Sequence, residues 1–315
     1  MSRGGRGMSA VYVTGSSGVL GFELLDHLSA ALPGRATGVA RKPLPLRADA
    51  LAQIVTPGVL TPDWLPGDER SATIVHCAGL ASPRVPFARF EDLSRREIEP
   101  QAAFAEALVA RGWAGHLVYV SSAGVYGDTD DLPIPETAPL VPKSFYALQK
   151  TATEQALRML AERHGFRLTV LRLANAYGSP LAGPGFGVVT ILLEALRSGA
   201  PFRLFGTGES LRDYLHVADF TRAVERVVTV DLPERVTTLN LGTGQGTSLA
   251  RLVALVQEVT GQSLDLRREP LENELKSSVL DISRARALLG WSPEIGIEDG
   301  LRRAAEVYAR RPATD

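Results

Sequence analysis

The chain has an ordinary globular composition. It contains 315 residues, of which 45% are hydrophobic and 22% are charged, and its formal net charge is −1. A chain of this length can bury a full hydrophobic core. The near-neutral charge does not indicate a nucleic-acid partner, and no apolar run reaches the ~20 residues that a membrane span needs. The single cysteine, Cys77, excludes an internal disulfide.

Apolar segments typical of strands alternate with helical patterns through the first half of the chain. Residues 1–8 lack the apolar core of a secretory signal, so we expect a flexible leader and a cytoplasmic protein. The predicted strands are Ala10–Val13, Ala36–Ala40, Thr73–Cys77, His116–Ser121 and Leu168–Leu173, and the predicted helices include Arg95–Arg111 and Phe145–Arg163. In the second helix Leu148, Ala152, Ala156 and Leu160 recur every four residues and are expected to face the sheet. The alternation predicts an α/β fold with a doubly wound parallel sheet.

A glycine-rich turn lies between the first predicted strand and the helical pattern after it. Strand, glycine turn and helix are the context of a dinucleotide-binding loop, in which backbone N–H groups at the helix start bind phosphate. The spacing is Gly-x-x-Gly-x-x-Gly, one residue longer than the Rossmann fingerprint, and an ordinary glycine turn is the alternative. The candidate cofactor residues of this segment are Gly15, Ser17, Gly18, Val19, Leu20 and Gly21.

The end of the second predicted strand bears on the choice of cofactor. An acidic residue there favours NAD, whereas arginine accommodates the additional phosphate of NADP. The chain has Arg41 and Lys42 at this point and neither Asp nor Glu between Gly38 and Pro43. We therefore predict NADP in preference to NAD, with a solvated basic turn as the alternative.

Tyr146 and Lys150 are four residues apart in a predicted helix, and therefore lie on one face. A lysine ammonium beside a tyrosine favours the phenolate, which can exchange a proton with an alcohol or a carbonyl. A solvated lysine beside a half-buried tyrosine is the alternative. Ser121 and Ser122 end a predicted strand, where ligands of parallel sheets bind.

Together these segments resemble the extended short-chain dehydrogenases/reductases, the family of nucleotide-sugar epimerases, dehydratases and reductases. The resemblance extends over nearly the whole chain. Further segments that resemble family motifs are His76-Cys-Ala-Gly79, Arg172-Leu-Ala-Asn175-Ala-Tyr-Gly178, Arg212-Asp-Tyr-Leu-His216-Val-Ala-Asp219, Asn240-Leu-Gly-Thr-Gly244 and Leu288-Leu-Gly-Trp291.

The resemblance implies a Rossmann-type dinucleotide-binding domain and a smaller C-terminal substrate domain. We expect the first to span residues 9–174, with returning segments at about 212–245. Residues 175–315 would then form mainly the substrate-binding domain. Family members commonly pair through the two predicted helices Arg95–Arg111 and Phe145–Arg163, so we also expect a homodimer.

The resemblance also assigns roles to individual residues. Ser122, chosen over Ser121 by the family register, would orient the substrate oxygen, Tyr146 would be the acid/base, and Lys150 would bind the nicotinamide ribose. No metal is implied. The full sets of candidates are Arg41, Cys77, Ala78, Gly79, Val120, Tyr146 and Lys150 for the cofactor, in addition to the glycine turn, and Ser122, Tyr146, Asn175 and Arg212 for the substrate.

We also expect particular roles for several other residues near the predicted substrate and cofactor sites. The alternative for Arg212 is a salt bridge with Asp213 or Asp219, and His216 is expected to be structural. Residues 81–83, Tyr177 and the loop at residues 183–187 are expected to line the sugar pocket. The family usually has an asparagine where this chain has Glu97 or the nearby Glu99.

The activity implied is NAD(P)-dependent hydride transfer at a sugar carbon of a nucleotide sugar, most often C4. Ala123 and Gly124 stand where the dehydratases of this family have Asp-Glu, so dehydration is disfavoured. A 4-epimerase with bound NAD⁺ and a 4-ketoreductase with NADPH both remain open. So do a reductase of a steroid-like or flavonoid-like carbonyl and a non-catalytic dinucleotide-binding sensor or scaffold.

Overall fold

The structure is a computed structural model that describes residues 9–47, 49–79, 89–183, 186–270 and 277–310. The predicted leader, the predicted pocket segment 81–83 and residues 184–185 of the predicted pocket loop lie outside the described residues. The strands are β1 (Val11–Thr14), β2 (Ala36–Ala40), β3 (Gln53–Val55), β4 (Thr73–His76), β5 (His116–Ser122), β6 (Arg167–Leu173), β7 (Asn175–Tyr177), β8 (Phe202–Phe205), β9 (Leu211–His216), β10 (Val236–Leu241), β11 (Gly246–Ser248) and β12 (Leu266–Glu269).

Helices follow most of these strands. They are α1 (Val19–Ala31), α2 (Phe90–Leu93), α3 (Glu99–Ala110), α4 (Phe145–His164), α5 (Gly187–Ser198), α6 (Val217–Thr229), α7 (Leu249–Thr260), α8 (Ser283–Leu289) and α9 (Ile297–Ala309). A π-helical turn, Ser94–Ile98, joins α2 to α3, and 3₁₀ turns occupy Pro62–Trp64 and Ala123–Tyr126.

The centre of the fold is a seven-stranded sheet in the order β10-β6-β5-β4-β1-β2-β3. Every neighbouring pair of its strands is parallel. Successive side chains of a strand point to opposite faces of a sheet. In β1, Val11 and Val13 accordingly pack into one hydrophobic core and Tyr12 into another. The predicted Rossmann-type, doubly wound α/β fold is confirmed.

Helices cover both faces of the sheet. Phe22 of α1 and Phe220 of α6 belong to one core, whereas Phe104 of α3 and Leu157 of α4 belong to the other. The strand β10 comes from the second half of the chain and pairs with β6 at the sheet edge. The remaining strands form two small sheets, β11-β9-β7 and β12-β8, beside a third core built mainly from α5, α7 and α9.

The prediction for the buried face of α4 was wrong in part. Leu160 is buried, but Leu148, Ala152 and Ala156 are only half-buried. An α-helix has 3.6 residues per turn, so a stripe of residues spaced by four drifts around the axis. The residues of α4 that are buried are Ala147, Gln149, Thr153, Glu154, Leu157, Leu160 and Ala161.

A buried ion pair joins α4 to the sheet. Arg172 Nη2 donates to Glu154 Oε2 at 2.8 Å, and these side chains are 4% and 0% exposed. Arg172 Nη1 donates to the Tyr126 hydroxyl at 3.0 Å, and that hydroxyl donates to Asn240 Oδ1 at 2.7 Å. A buried charge needs such partners, so Arg172 and Asn240, which lie in two of the family motifs, serve the fold.

Candidate active site

The turn after β1 has a backbone that only glycine can follow. Gly15 has φ +75°, and a Cβ there would lie 2.8 Å from the backbone nitrogen and Cα of Ala78. The Gly15 N–H donates to the carbonyl of Val39 at 2.8 Å, which holds the turn against β2. A Cβ on Gly21 would lie 2.3 Å from the Gly15 carbonyl oxygen. The turn thus brings α1 close to the ends of β1 and β4.

The start of α1 is suited to an anion. Gly18 occupies the N-cap without a side-chain hydrogen bond, and the first turn of the helix contains no acidic residue. Backbone N–H groups and the helix dipole therefore create a favourable position for phosphate.

A groove of about 610 Å³ passes over this turn. Its volume is in the range of cofactor sites, and its glycine wall leaves the backbone accessible to a ligand. Seven of the predicted cofactor residues line the groove, whereas Tyr146 and Lys150 do not, and Gly21 and Val120 are buried. The lining residues are Gly15, Ser17, Gly18, Ala40, Arg41, Lys42, Pro57, Gly58, Val59, Leu60, Thr61, Cys77, Ala78, Gly79, Arg96, Glu97, Pro100 and Gln101.

The remaining residues of the predicted loop do not line the groove. Val19 and Leu20 are half-buried, and Leu20 packs against the core next to α1. These residues support the helix whose N-terminus forms part of the groove wall.

A buried histidine supports the wall at the end of β4. His76 Nδ1 lies 2.7 Å from the Thr14 hydroxyl oxygen, and its Nε2 is hydrogen-bonded to Gln101 Oε1. Gln101 Nε2 in turn donates to the carbonyl of Ala78 at 3.3 Å. Burial lowers the pKa of His76 to about 4, with a smaller effect of the Lys150 charge in the same direction. This neutral imidazole therefore fixes the groove, and no local pattern in the sequence indicated its partners.

Tyr146 and Lys150 lie on successive turns at the start of α4. Ser144 caps this helix by accepting a hydrogen bond from the Ala147 N–H at 3.1 Å. Lys150 Nζ lies 5.9 Å from the centre of the Tyr146 ring and 4.8 Å from that of Tyr119. It also donates to the carbonyl of Val120 at 2.8 Å. The lysine is thus held between the tyrosine and the end of β5.

The two serines at the end of β5 have different environments. Ser121 is 3% exposed and donates to the buried carboxylate of Glu154. Ser122 is half-buried and accepts from the Gly124 N–H at 3.1 Å. A Cβ on Gly124 would lie 3.7 Å from the Ala147 Cβ, so the turn after Ser122 contacts the first turn of α4. Ser122 and Tyr146 accordingly belong to one neighbourhood.

The charge of Lys150 reaches the groove. Desolvation raises the pKa of the Cys77 thiol to about 12, and the nearby Lys150 ammonium opposes that rise. Cys77 lines the groove, so Lys150 lies close to its wall. Lys150 therefore lies near the groove, although neither Tyr146 nor Lys150 is among the residues that line it.

The predicted substrate residues lie on adjacent strands of the small sheet β11-β9-β7. Asn175 is paired with Tyr214, two residues after Arg212, which places Asn175 and Arg212 on the same side of the sheet. The Asn175 amide donates to the carbonyl of Asp213 at 3.0 Å. The carboxylate of Asp213 accepts from Thr243 and Gly244, and that of Asp219 pairs with Arg222.

Tyr177 and His216, which the sequence analysis also singled out, are both buried. Tyr177 is 3% exposed and belongs to the core formed by α5, α7 and α9, and its place in the sugar pocket stays a prediction. His216 is 6% exposed, and its Nδ1 accepts from the Ala218 N–H at 3.2 Å at the start of α6.

Glu97, rather than Glu99, is the acidic residue of the groove. Glu97 is 1% exposed, and its Oε2 lies 3.6 Å from the position of a Cβ on Gly79. Glu99 is exposed and accepts from the Ser94 hydroxyl at 2.9 Å. The sequence left this choice open because a π-helical turn shifts the register of the two side chains.

The described residues contain neither a helix that could span a bilayer nor a cluster of at least three potential metal ligands.

The sequences of several known proteins can be aligned with much of this chain. A UDP-glucose 4-epimerase of Azospirillum brasilense is 28% identical and is aligned over 95% of this chain and 92% of its own. A dTDP-4-dehydro-6-deoxyglucose reductase of Escherichia coli is 26% identical over 73% of this chain and 72% of its own. A relative in Methanocaldococcus jannaschii is 30% identical, but the match covers only 59% of this chain and 61% of that protein.

Solved structures with a similar fold cover nearly all of the chain. MoeE5 in complex with UDP-glucuronic acid and NAD is 28% identical with a TM-score of 0.84, covering 96% of this chain and 99% of that one. The UDP-glucose 4-epimerase of Thermotoga maritima, solved with UDP-glucose, is 27% identical with a TM-score of 0.83 and the same coverage. The model of the NAD dependent epimerase/dehydratase family matches residues 11–242. The chain belongs to this family, and so to the extended short-chain dehydrogenases/reductases.

Proposed function

We propose that the protein is a nucleotide-sugar 4-epimerase that transfers hydride reversibly at C4 of the sugar. The observation that supports the proposal most is that Tyr146 and Lys150 lie together at the start of α4, with Lys150 Nζ bonded to the carbonyl of Val120 at the end of β5, close to Ser122. The family is NAD-dependent. Relatives and similar structures include UDP-glucose 4-epimerases and an NAD complex.

The residues of the chain supply proton transfer and orientation. A dinucleotide in the groove would supply the acceptor for the hydride of C4. Tyr146 takes the proton of the C4 hydroxyl as the hydride leaves and returns it after the sugar has turned over. Ser122 donates a hydrogen bond to the same oxygen, and Lys150 provides the neighbouring positive charge. Ala123 and Gly124 have no acidic or basic group that could act at the adjacent carbons.

The nucleotide end of the substrate is assigned to Asn175 and Arg212. An amide and a guanidinium on one side of a sheet can together bind a diphosphate, the second through a bidentate interaction. We propose a UDP-sugar on the likeness to relatives named for UDP-glucose. Activity assays with a panel of nucleotide sugars would identify the sugar.

A second candidate is a 4-ketoreductase that uses NADPH. Arg41, Lys42 and Arg96 line the groove, and Glu97 is the single acidic residue among its described lining residues. The cations after β2 favour a cofactor with an additional phosphate, and the Escherichia coli relative is a sugar reductase. The preference for NADP that we predict from Arg41 therefore favours the ketoreductase.

The two candidates differ in the cofactor that the purified protein retains. We would denature the protein and identify the released dinucleotide by mass spectrometry. Near-stoichiometric NAD⁺ or NADH supports the epimerase, because its cofactor is recycled in place. A protein that is empty and then binds NADPH in preference to NADH supports the ketoreductase. A groove that binds neither form contradicts both.

Turnover assays test two wider classes of function. A reductase of steroid-like or flavonoid-like carbonyls would consume NADPH with such compounds and leave nucleotide sugars unchanged. A sensor or scaffold would bind dinucleotide without turnover of either class of substrate. The presence of Ser122, Tyr146 and Lys150 together favours catalysis over a sensor or scaffold.

We also propose a homodimer that pairs through α3 and α4. Met159 is 63% exposed on α4, as expected for an apolar side chain that a partner covers. The division into domains at residue 174 and the cytoplasmic location remain predictions.

A further inference from the structure

Neutral groups hold the Lys150 side chain in place. Its ammonium lies 4.8 Å from the centre of the Tyr119 ring and donates to the carbonyl of Val120 at 2.8 Å. An aromatic ring attracts a cation that lies over its face within about 6 Å of its centre. No residue in the described part of the chain forms a salt bridge with Lys150. A carboxylate would cancel much of the ammonium charge, whereas a ring face and a carbonyl leave that charge available to Tyr146.

The Tyr119 ring is itself fixed in the core. It is 1% exposed and stacks on the His76 ring with 6.1 Å between the two ring centres. Its hydroxyl accepts from Gln149 Nε2 at 3.3 Å, and the same amide donates to the Thr153 hydroxyl at 3.2 Å. Because burial lowers the pKa of His76 to about 4, the imidazole is uncharged at neutral pH and does not repel the ammonium. Tyr119 therefore offers Lys150 a rigid, uncharged surface.

The position of the ammonium matters because a lysine side chain is long and flexible. Lys150 Nζ lies 5.9 Å from the centre of the Tyr146 ring. The attraction between opposite charges weakens as their separation grows. An ammonium that moved away from this position would therefore stabilise the Tyr146 phenolate less, and the phenolate is the form that takes a proton from an alcohol.

We propose that Tyr119 is a positioning residue, whose ring holds the Lys150 ammonium beside Tyr146 through a cation–π interaction. Tyr119 acts through Lys150, because its own side chain is buried. The inference rests on the proposed roles of Tyr146 and Lys150 but not on the identity of the sugar or of the cofactor. The sequence contains no local sign of this role, since Tyr119 lies within the apolar part of β5.

Ionisation of Tyr146 can be measured without substrate. A phenolate and a phenol absorb differently in the near ultraviolet, so the difference between each protein and the same protein with Tyr146→Phe reports Tyr146 alone. Tyr119→Leu removes the ring face and keeps an apolar side chain. We expect Tyr146 to ionise about one pH unit higher in Tyr119→Leu than in the wild type, which is about a tenfold loss of phenolate stabilisation. Turnover at neutral pH should fall by a similar factor.

Two replacements keep the shape of the ring. Tyr119→Phe retains the ring face, so Tyr146 should ionise as in the wild type, and turnover should be restored relative to Tyr119→Leu. A fluorinated phenylalanine at the same position keeps the shape but weakens the attraction for a cation, because fluorine withdraws electrons from the ring face. This variant should resemble Tyr119→Leu, and it tests the proposal even if the smaller leucine prevents folding.

The titratable groups nearby are common to all these variants. The Lys150 charge acts on His76 and Cys77, which burial keeps neutral by lowering the pKa of the first to about 4 and raising the pKa of the second to about 12. The groups whose charges act on Tyr119 are Glu97 and Glu154. A difference between Tyr119→Leu and Tyr119→Phe therefore comes from the ring.

Tyr12→Leu controls for the loss of a buried tyrosine. Tyr12 is 7% exposed and belongs to the same core as Tyr119, where the centre of its ring lies 5.5 Å from that of Trp64. We expect Tyr12→Leu to lower thermal stability, as Tyr119→Leu does, because both remove a buried ring. The ionisation of Tyr146 and the turnover should stay at the wild-type values.

The outcomes separate this inference from the proposed function. Unchanged ionisation of Tyr146 in Tyr119→Leu overturns the role of Tyr119 and leaves the proposed function intact. Equal shifts in Tyr119→Leu and Tyr119→Phe also overturn it, because the ring face is then not the cause. A wild type that turns over no nucleotide sugar contradicts the proposed function, whereas the ionisation shift in the same protein still supports the positioning of Lys150.

Discussion

The proposed chemistry depends on a single hydroxyl group, that of Tyr146. Tyr146→Phe removes the group that exchanges the proton and leaves the ring in place. We expect turnover to fall by about 10²- to 10⁴-fold, the usual contribution of a general acid or base. Cofactor affinity should stay within about twofold, because other residues line the groove. Activity assays and fluorescence titration with the reduced dinucleotide measure these quantities.

A matched variant controls for the loss of a tyrosine hydroxyl. Tyr308 lies in α9, where its hydroxyl donates to Glu194, in the core formed by α5, α7 and α9. Tyr308→Phe should retain wild-type turnover. If Tyr146→Phe also retains it, Tyr146 is not the acid/base.

His76 makes the stability of the protein dependent on pH. Burial depresses its pKa from 6.5 to about 4 in the folded state. As the pH falls, His76 therefore gains a proton in the unfolded state before it does so in the folded state. The folded state is fully favoured by this difference above pH 6.5, and the stabilisation is lost as the pH falls towards 4. The loss is about 3 kcal/mol if the full shift applies.

The comparison with His76→Gln isolates this effect from other titrating groups. The variant should be less stable than the wild type at neutral pH, because it lacks the bonds to Thr14 and Gln101. The difference in free energy of unfolding should narrow as the pH falls between 6.5 and 4. Urea unfolding at several pH values measures it, and a difference that is independent of pH would show that His76 does not titrate as described.

At the scale of elements, the turn between β1 and α1 can be tested through its glycine geometry. A Cβ on Gly15 would lie 2.8 Å from the backbone of Ala78, whereas Gly34, with φ +73°, has no atom within 4 Å of such a Cβ. Both positions have left-handed backbones, which cost a non-glycine residue roughly 1–2 kcal/mol. Gly15→Ala should therefore lose at least tenfold in cofactor affinity, and Gly34→Ala should lose stability only.

Cofactor titration and thermal unfolding of the two variants separate these effects. Equal cofactor affinities in Gly15→Ala and Gly34→Ala would be incompatible with the Gly15 turn as part of the cofactor site.

Elements with local signals could be predicted from the sequence. The predicted bounds of β2 agree with the structure, and β5, β6 and α4 differ by one residue at one end. Apolar runs and glycine turns are local properties of the chain, so they can be read without the tertiary structure.

What the sequence did not predict depends on contacts between distant residues. The buried face of α4 follows the geometry of the helix against the sheet rather than the four-residue repeat. The inward orientation of Glu97 comes from a π turn, and the His76 network joins residues 62 and 25 positions apart in the chain. The reason to choose Ser122 over Ser121 is visible in the structure as the bond of Ser121 to Glu154, although the family register led to the same choice.

At the scale of the whole molecule, the proposed dimer makes a specific prediction. Met159→Asp places a charge on the exposed face of α4 and should convert a dimer into a monomer, because burying an unpaired charge opposes association. Phe205→Asp, at a position 45% exposed on β8, is the control and should remain dimeric. Light scattering gives the mass of each, and a monomeric wild type would exclude the proposal.

Isotope tracing tests whether the protein transfers hydride at C4 of a nucleotide sugar. We would incubate the protein with its cofactor and nucleotide sugars that carry deuterium at C4, beginning with UDP-glucose. We expect the C4 epimer to form with its deuterium still at C4 or, for a ketoreductase running in reverse, the deuterium to move to the nicotinamide. Loss of the deuterium to water, or no reaction with any nucleotide sugar, would contradict hydride transfer at C4.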